Sequence, residues 1–190
     1  MAAATDSVDT RERLIRAGVE LIDEDSGDLG LRAIARRAGV SHGAPRRYFP
    51  THRSLLAAIA ALGLSDLAVA VRRPLHDRGL PAGDRLVEAS VVYVDFASRR
   101  RAMFALMFRH DLLDGAGANL RATTLPLLSD LHEVVAEFRQ EPSRPATISL
   151  WTAVHGIAVL SGNRALELLG DDAPAPRDLV VAAVDAALRR

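Results

Sequence analysis

The chain has 190 residues, 49 % of them hydrophobic, and balances 24 Lys or Arg against 24 Asp or Glu for a formal net charge of +0. That is enough apolar material for a real core in one large or two small domains, and overall charge points to no partner. With no cysteine, the chain has neither a disulfide framework nor a thiol nucleophile, which suits a reducing compartment. The start, MAAATDSVDT, lacks the basic segment and long apolar run of a secretory signal. No stretch reaches the ~20 uninterrupted apolar residues of a membrane span, so a cytoplasmic protein with no membrane partner is expected.

In chain order, Asp9 and Glu12 form a capping-box pattern that predicts a helix over Thr10 to Asp25, with Leu14, Ala17, Gly18, Leu21 and Ile22 inward. Arg11 and Arg13 near its start are either phosphate contacts or solvated arginines. Next comes LRAIARRAGVSHGAPRRYF, Leu31 to Phe49. Leu31, Ile34, Ala35 and Ala38 keep the spacing of one buried helical face, and Gly39 ends that helix by entering the left-handed region cheaply. Ser41 is expected to cap a second helix from His42 to about Phe49, with Pro45 and Phe49 inward.

This pair of helices joined by a turn carries the functional signal. No acidic residue lies between Leu29 and Leu64, whereas the segment through Arg53 holds six arginines. A short helix with guanidinium, imidazole and phenol groups on its open face suits the DNA major groove, where Arg can bond bidentately to guanine. Gly43 permits close approach of the backbone to phosphate. A local patch on a neutral chain is what a site-specific binder needs, because it limits indiscriminate attachment to the phosphate backbone.

Thr51 is expected to cap a long helix from His52 to Arg72, stopped by Arg73-Pro74, a rod of roughly 31 Å. The segment RRPLHDRGLPAG, residues 72–83, is the natural boundary. Further helices are expected over Asp84 to Ser98, Arg100 to Arg109, Leu120 to Arg139, Pro145 to Leu169 and Pro176 to Leu188. In the third of these, Pro126 demands either a start near Thr123 or Thr124, or a kink. No alternating run is long enough for a sheet, so the fold class is all-α.

The segments GVSHGAPRRYFPTHRSLL, LWTAVHGIAVL and FASRRRAMFALMF together resemble the tetracycline-repressor (TetR) family of bacterial transcriptional regulators. The first resembles its recognition segment without a gap from Leu31 through Leu55. Trp151, His155 and Gly156 resemble the Trp-x3-His-Gly signature of the subgroup with a WHG-type C-terminal domain. Two positions depart from the pattern. Arg46 stands where the family usually has Tyr, and Gly30 where Ser or Thr caps the first helix of the motif, so no operator sequence can be carried over.

The resemblance implies an N-terminal three-helix DNA-binding domain over residues 1–54, joined by a long helix to an all-helical effector-binding and dimerisation domain over residues 55–190. It implies a repressor that binds a palindromic double-stranded operator through Arg32, Ser41, His42, Gly43, Arg46, Arg47 and Tyr48, with His52 and Arg53 anchoring the flanks. It also implies a small, largely apolar effector among Tyr93, Phe96, Met103, Phe104, Met107 and Phe108, with Leu127, Leu131, Trp151 and His155. A homodimer through the last two helices is expected, with the stripe Leu179, Val180, Ala183, Val184, Ala187 and Leu188 at the interface.

No cofactor is expected. His110, Asp111, Asp114, His132, Glu133 and His155 reproduce no zinc helix, nucleophile elbow, P-loop or dinucleotide fingerprint, so neither a metal site nor a catalytic residue is expected. An effector-independent DNA-binding protein or adaptor is the alternative, and a metal-dependent enzyme a remoter one.

Overall fold

A computed structural model of the chain describes residues 2–24 and 28–188, and these contain helices but no strand. In chain order the helices are α1 Ala2–Asp23, α2 Leu31–Arg37, α3 Ala44–Tyr48, α4 His52–Leu75, α5 Ala82–Arg99, α6 Arg101–Met107 and α7 His110–Leu113, then α8 Arg121–Arg139, α9 Arg144–Gly162 and α10 Pro176–Leu188. A 3-10 segment, Ala165–Asp172, separates the last two. The chain divides into two compact units, one of residues 1–64 with 102–120, the other of residues 65–101 with 121–190.

The first unit is built on α1, whose Leu14, Ala17, Leu21 and Ile22 are buried as the periodicity predicted. Its start differs from the expectation. The helix runs back to Ala2, so Asp9 lies mid-helix and faces Arg13 one turn on, at 4.0 Å, instead of capping. Three consecutive alanines upstream, the strongest helix formers, carry the helix past the expected cap. The expected end at Asp25 lies outside the described residues. Gly18 lets α4 approach closely, because a Cβ there would overlap the Ile59 side chain. Leu55, Leu56, Ile59 and Ala60 of α4 complete this core.

The same unit takes in α6 and α7. Met103, Phe104, Leu106 and Met107 are buried, and a Cβ on Gly63 would overlap Met103. The single helix expected over Arg100 to Arg109 ends at Met107, and beyond it His110–Leu113 form one further turn, α7.

In the second unit, α5 packs against α8, α9 and α10, and α9 packs against α10. Leu86, Ala89, Val94, Val135, Leu150, Val154, Ala158, Val180 and Val184 form its interior. Arg85, 1 % exposed, donates to the Leu75 carbonyl at 3.3 Å and pairs with Glu137. The loop 76–81, within the expected boundary segment, lies wholly inside this unit.

Three helix ends here depart from the sequence reading. α4 continues to Leu75 with Pro74 in its last turn, where the missing N–H costs one hydrogen bond and no further turn has to pass the ring. α8 begins at Arg121 and carries Pro126 inside it. α9 starts as expected, with the Ser143 hydroxyl accepting from Ala146 N–H at 3.3 Å, but stops at Gly162 instead of Leu169. Gly162 and Asn163 are poor helix formers, and Arg164 then turns left-handed at φ 58°.

By length and composition α4 is apolar enough to cross a membrane, yet more than half of its apolar window is buried. Asp66 and Arg72 within it pair with Arg100 and Asp130 at 2.9 and 2.6 Å. It is the core helix that both units share along the chain.

Candidate DNA-binding site

The turn between α2 and α3 is fixed by its backbone. Gly39 adopts φ 64°, its N–H donates to the Arg36 carbonyl at 3.2 Å, and the Val40 N–H reaches the Ala35 carbonyl at 3.0 Å. These two bonds form a Schellman end, which requires a left-handed residue at Gly39. From α1, the Arg13 guanidinium donates to the Ala38 carbonyl at 2.7 Å and the Gly39 carbonyl at 3.4 Å, and so satisfies acceptors that the helix end leaves over. The weak cap Gly30 is assisted as well, since its N–H donates to the Asp28 carboxylate at 2.9 Å.

The second helix of the motif is shorter than expected. Ser41 does not cap it. The Ser41 carbonyl instead accepts from Ala44 N–H at 3.0 Å, and α3 begins at Ala44 behind Gly43. Pro45 explains the shift, because a residue without N–H is best accommodated in a helix's first turn, where no donor is needed. Pro45 and Phe49 are buried as predicted, and the Arg11 guanidinium lies 5.2 Å from the Phe49 ring centre. The orientation of the short helix is therefore set from its apolar side.

Its other side is open. Ser41, His42, Gly43, Arg46 and Arg47 are exposed, Tyr48 is half-buried, and Arg32 is exposed on α2. Among the described residues, the side chains of Arg32, Arg36, Arg46 and Arg47 make no hydrogen bond or ion pair. Arg36 was not among the expected contacts, although its exposed place beside Arg32 could have been read from the helical period. Arg37 is different. It reaches Glu24 through both terminal nitrogens, at 2.7 and 2.6 Å, and Glu20 at 3.3 Å. That fork holds Glu24 below the usual carboxylate range and raises Arg37. The acidic pair at Glu20 and Glu24, one turn apart, was the legible signal for it.

The two expected flank anchors are held within the chain. Thr51 caps α4 reciprocally with Ser54: the Ser54 N–H donates to the Thr51 hydroxyl at 3.0 Å, and the Thr51 N–H to the Ser54 hydroxyl at 3.2 Å. His52 Nε2–H donates to the Leu29 carbonyl at 2.7 Å. Arg53 donates to the backbone carbonyls of Leu112 at 2.8 Å, Asp114 at 3.1 Å and Asp111 at 3.4 Å.

The expected effector residues fall in both units. In the first, Met103, Phe104 and Met107 are buried and Phe108 is half-buried, with the Phe104 and Phe108 rings 4.9 Å apart. In the second, Phe96, Leu127 and Leu131 are half-buried. Tyr93, Trp151 and His155 come together. The buried Tyr93 hydroxyl donates to His155 Nδ1 at 2.9 Å, and the Trp151 and His155 ring centres are 5.8 Å apart. Burial pushes the Tyr93 phenol well above its ordinary value, with a bond from the Trp151 indole opposing that rise, and burial lowers His155. A neutral imidazole accepting at Nδ1 carries its proton on Nε2.

The last-helix stripe divides. Val180 and Val184 are buried within the chain and Leu179, Ala183 and Ala187 are half-buried, so this face packs on α5 and α9. The reason is that an apolar stripe buries against the nearest apolar surface, and α5 and α9 of the same chain supply one. The Leu188 side chain lies outside the described residues. What α10 turns outward is Val181, Ala182, Asp185 and Ala186.

Comparison with known proteins agrees with this geometry. No curated protein sequence matches the chain. Among solved structures it is similar to a protein of unknown function from Rhodococcus sp. RHA1, at 28 % identity over 95 % of this chain and 94 % of that one, with a TM-score of 0.76. A TetR transcriptional regulator from Streptomyces coelicolor shares the fold at 22 % identity over 93 % of this chain and 97 % of its own, TM-score 0.57. So does the TetR family transcriptional regulator PfmR from Thermus thermophilus, at 16 % identity over 93 % and 97 %, TM-score 0.62. The family model described as the tetracyclin repressor-like C-terminal domain matches residues 86–187, more than half of the chain. The chain therefore belongs to the TetR family of DNA-binding transcriptional regulators, and not to a family of enzymes.

Proposed function

We propose that the protein represses transcription by occupying a palindromic operator as a homodimer in the cytoplasm, and that a small, largely apolar effector lowers its affinity. The observation that carries this reading is the open face of α3. Arg46 and Arg47 are exposed and have no carboxylate partner among the described residues, while Pro45 and Phe49 fix the helix behind them. In this arrangement Arg46, Arg47, His42 and Tyr48 meet base edges or phosphates, with Ser41, Gly43 and Arg32 at the phosphates. Residues 1–54 act as the DNA-binding part and residues 55–190 as the effector-binding and dimerising part.

The outward faces of α9 and α10 support a dimer. From Pro145 to Asn163 there is no Asp, Glu, Lys or Arg, and Ser149, Thr152, Ala153, Gly156 and Leu160 are exposed on one side of α9. Two short recognition helices carried by a two-fold dimer meet successive major grooves, which a single one cannot do. For the effector, the supporting feature is the joining of a buried phenol, an imidazole and a partly exposed indole at Tyr93, His155 and Trp151, a polar anchor beside apolar surface. The Trp151-x3-His155-Gly156 spacing supports assignment to the WHG-type subgroup.

Selection of bound fragments from genomic DNA tests the reading. The expected product is an inverted repeat, and Arg46→Ala relaxes one position of each half-site by about 1–3 kcal/mol if it reads a base. Uniform weakening on all sequences would make Arg46 a phosphate contact, and recovery of no enriched sequence would remove the operator reading.

A further inference from the structure

Arg53 stands at the start of α4 in the acid-free segment, yet its side chain reaches almost sixty residues along the chain, to the carbonyls around the end of α7. The last carbonyls of a helix have no partner within it, so they are ready acceptors. Nε and Nη2 of Arg53 are committed to Leu112, Asp114 and Asp111, whereas Nη1 makes no bond among the described residues. Carbonyls orient a guanidinium without neutralising it, and no ion pair of Arg53 occurs among the described residues. Its charge therefore stays available.

The acceptors are themselves fixed. Arg109 grips the Asp111 carboxylate through Nε and Nη2, both at 2.8 Å, at the first turn of α7. The Leu112, Leu113 and Asp114 N–H groups bond back to Arg109 and His110 at 2.9 to 3.0 Å, and Gly115 turns left-handed at φ 68°. Above this, α6 is seated through Met103 against Gly63 of α4.

We infer that α7 is a positioning element for DNA binding: its carbonyls hold the Arg53 guanidinium by one edge so that Nη1 presents to a phosphate. This rests on the DNA-binding reading above and adds residues 109–115 to the apparatus. A long side chain held in advance loses less freedom on binding, and the coupling is reciprocal, so bound DNA must tighten α7 in return.

The test uses the full chain, a mixed-sequence duplex and two measurements: the slope of binding affinity against salt, and hydrogen exchange at the Leu112, Leu113 and Asp114 amides. A phosphate contact is independent of sequence, so the operator is not needed. The parent gains protection at these amides when saturated with duplex. Arg53→Ala lowers the salt slope by about 1 per protomer and abolishes the gain. Arg53→Lys keeps the slope but loses the gain, since an ammonium lacks the fork. Arg109→Gln binds duplex more weakly while melting near the parent, because its exposed ion pair contributes little to stability. Loss of α7 protection on DNA binding would make the clip a competitor of phosphate and overturn the inference. So would unchanged protection, or an Arg53→Ala slope equal to the parent's. A parent that fails to bind duplex at all would overturn the DNA-binding reading and this inference together.

Discussion

The Arg13 guanidinium donates to the Ala38 carbonyl at 2.7 Å, so the helix behind the helix-turn-helix also closes the end of the motif's first helix. Arg13→Ala leaves that carbonyl short of a donor and loosens the turn before α3. Since Arg13 is about half exposed, the loss in stability should be near 1 kcal/mol, below the roughly 1.5–3 kcal/mol of a charged hydrogen bond. Urea unfolding checks this. A variant as stable as the parent with unchanged DNA affinity would show the bond to be idle.

Gly18→Val forces a side chain into the space that Ile59 fills. Overpacking of this kind costs about 1–3 kcal/mol, and the melting temperature should fall accordingly. A melting curve superimposable on the parent's would mean that α1 and α4 can separate freely, contrary to their close approach.

The residues around the helix-turn-helix show what could and could not be read from the letters. Gly39 was legible as a left-handed stop because the need is local, and so were Pro45 and Phe49 as the inward side of α3. Arg13 and Arg53 were not, since each chooses backbone carbonyls far along the chain, and no side-chain pattern marks a carbonyl. The stripe at Val180 and Val184 was visible as apolar. Periodicity alone does not say whether such a stripe meets its own chain or another copy.

Burial lowers the His155 pKa below its ordinary value of 6.5. The unfolded chain then takes up a proton that the folded chain refuses. The stability contributed by neutral His155 is fully present above about pH 6.5 and is lost as pH falls from there through the depressed folded value. Unfolding midpoints should drop between pH 7.5 and 5.5, and drop less in His155→Gln. Parallel drops would assign the effect to other groups.

Tyr93→Phe removes the hydroxyl that His155 Nδ1 accepts from and that the Trp151 indole meets. Because the site is buried, the cost should be about 1–2 kcal/mol. Histidine NMR should show the His155 titration displaced, and an unmoved titration would separate the two side chains energetically.

Ala153→Glu places charge in the middle of the exposed, uncharged side of α9. Sedimentation should then shift from a dimer towards the 20.4 kDa chain, with the unfolding of the isolated chain little altered because the position is already in water. A dimer that persists would move the interface elsewhere.

The first unit draws residues 102–120 into a body that otherwise ends at Leu64. During synthesis, therefore, Gly63 waits for Met103 and Arg53 waits for Leu112. With ribosomes adding about 5–20 residues per second, the nascent N-terminal unit stays unfinished for roughly 3 to 11 seconds after Leu64 is made. Until then its apolar α4 surface is exposed to aggregation, and completion of the unit is timed by a segment encoded well past its apparent end.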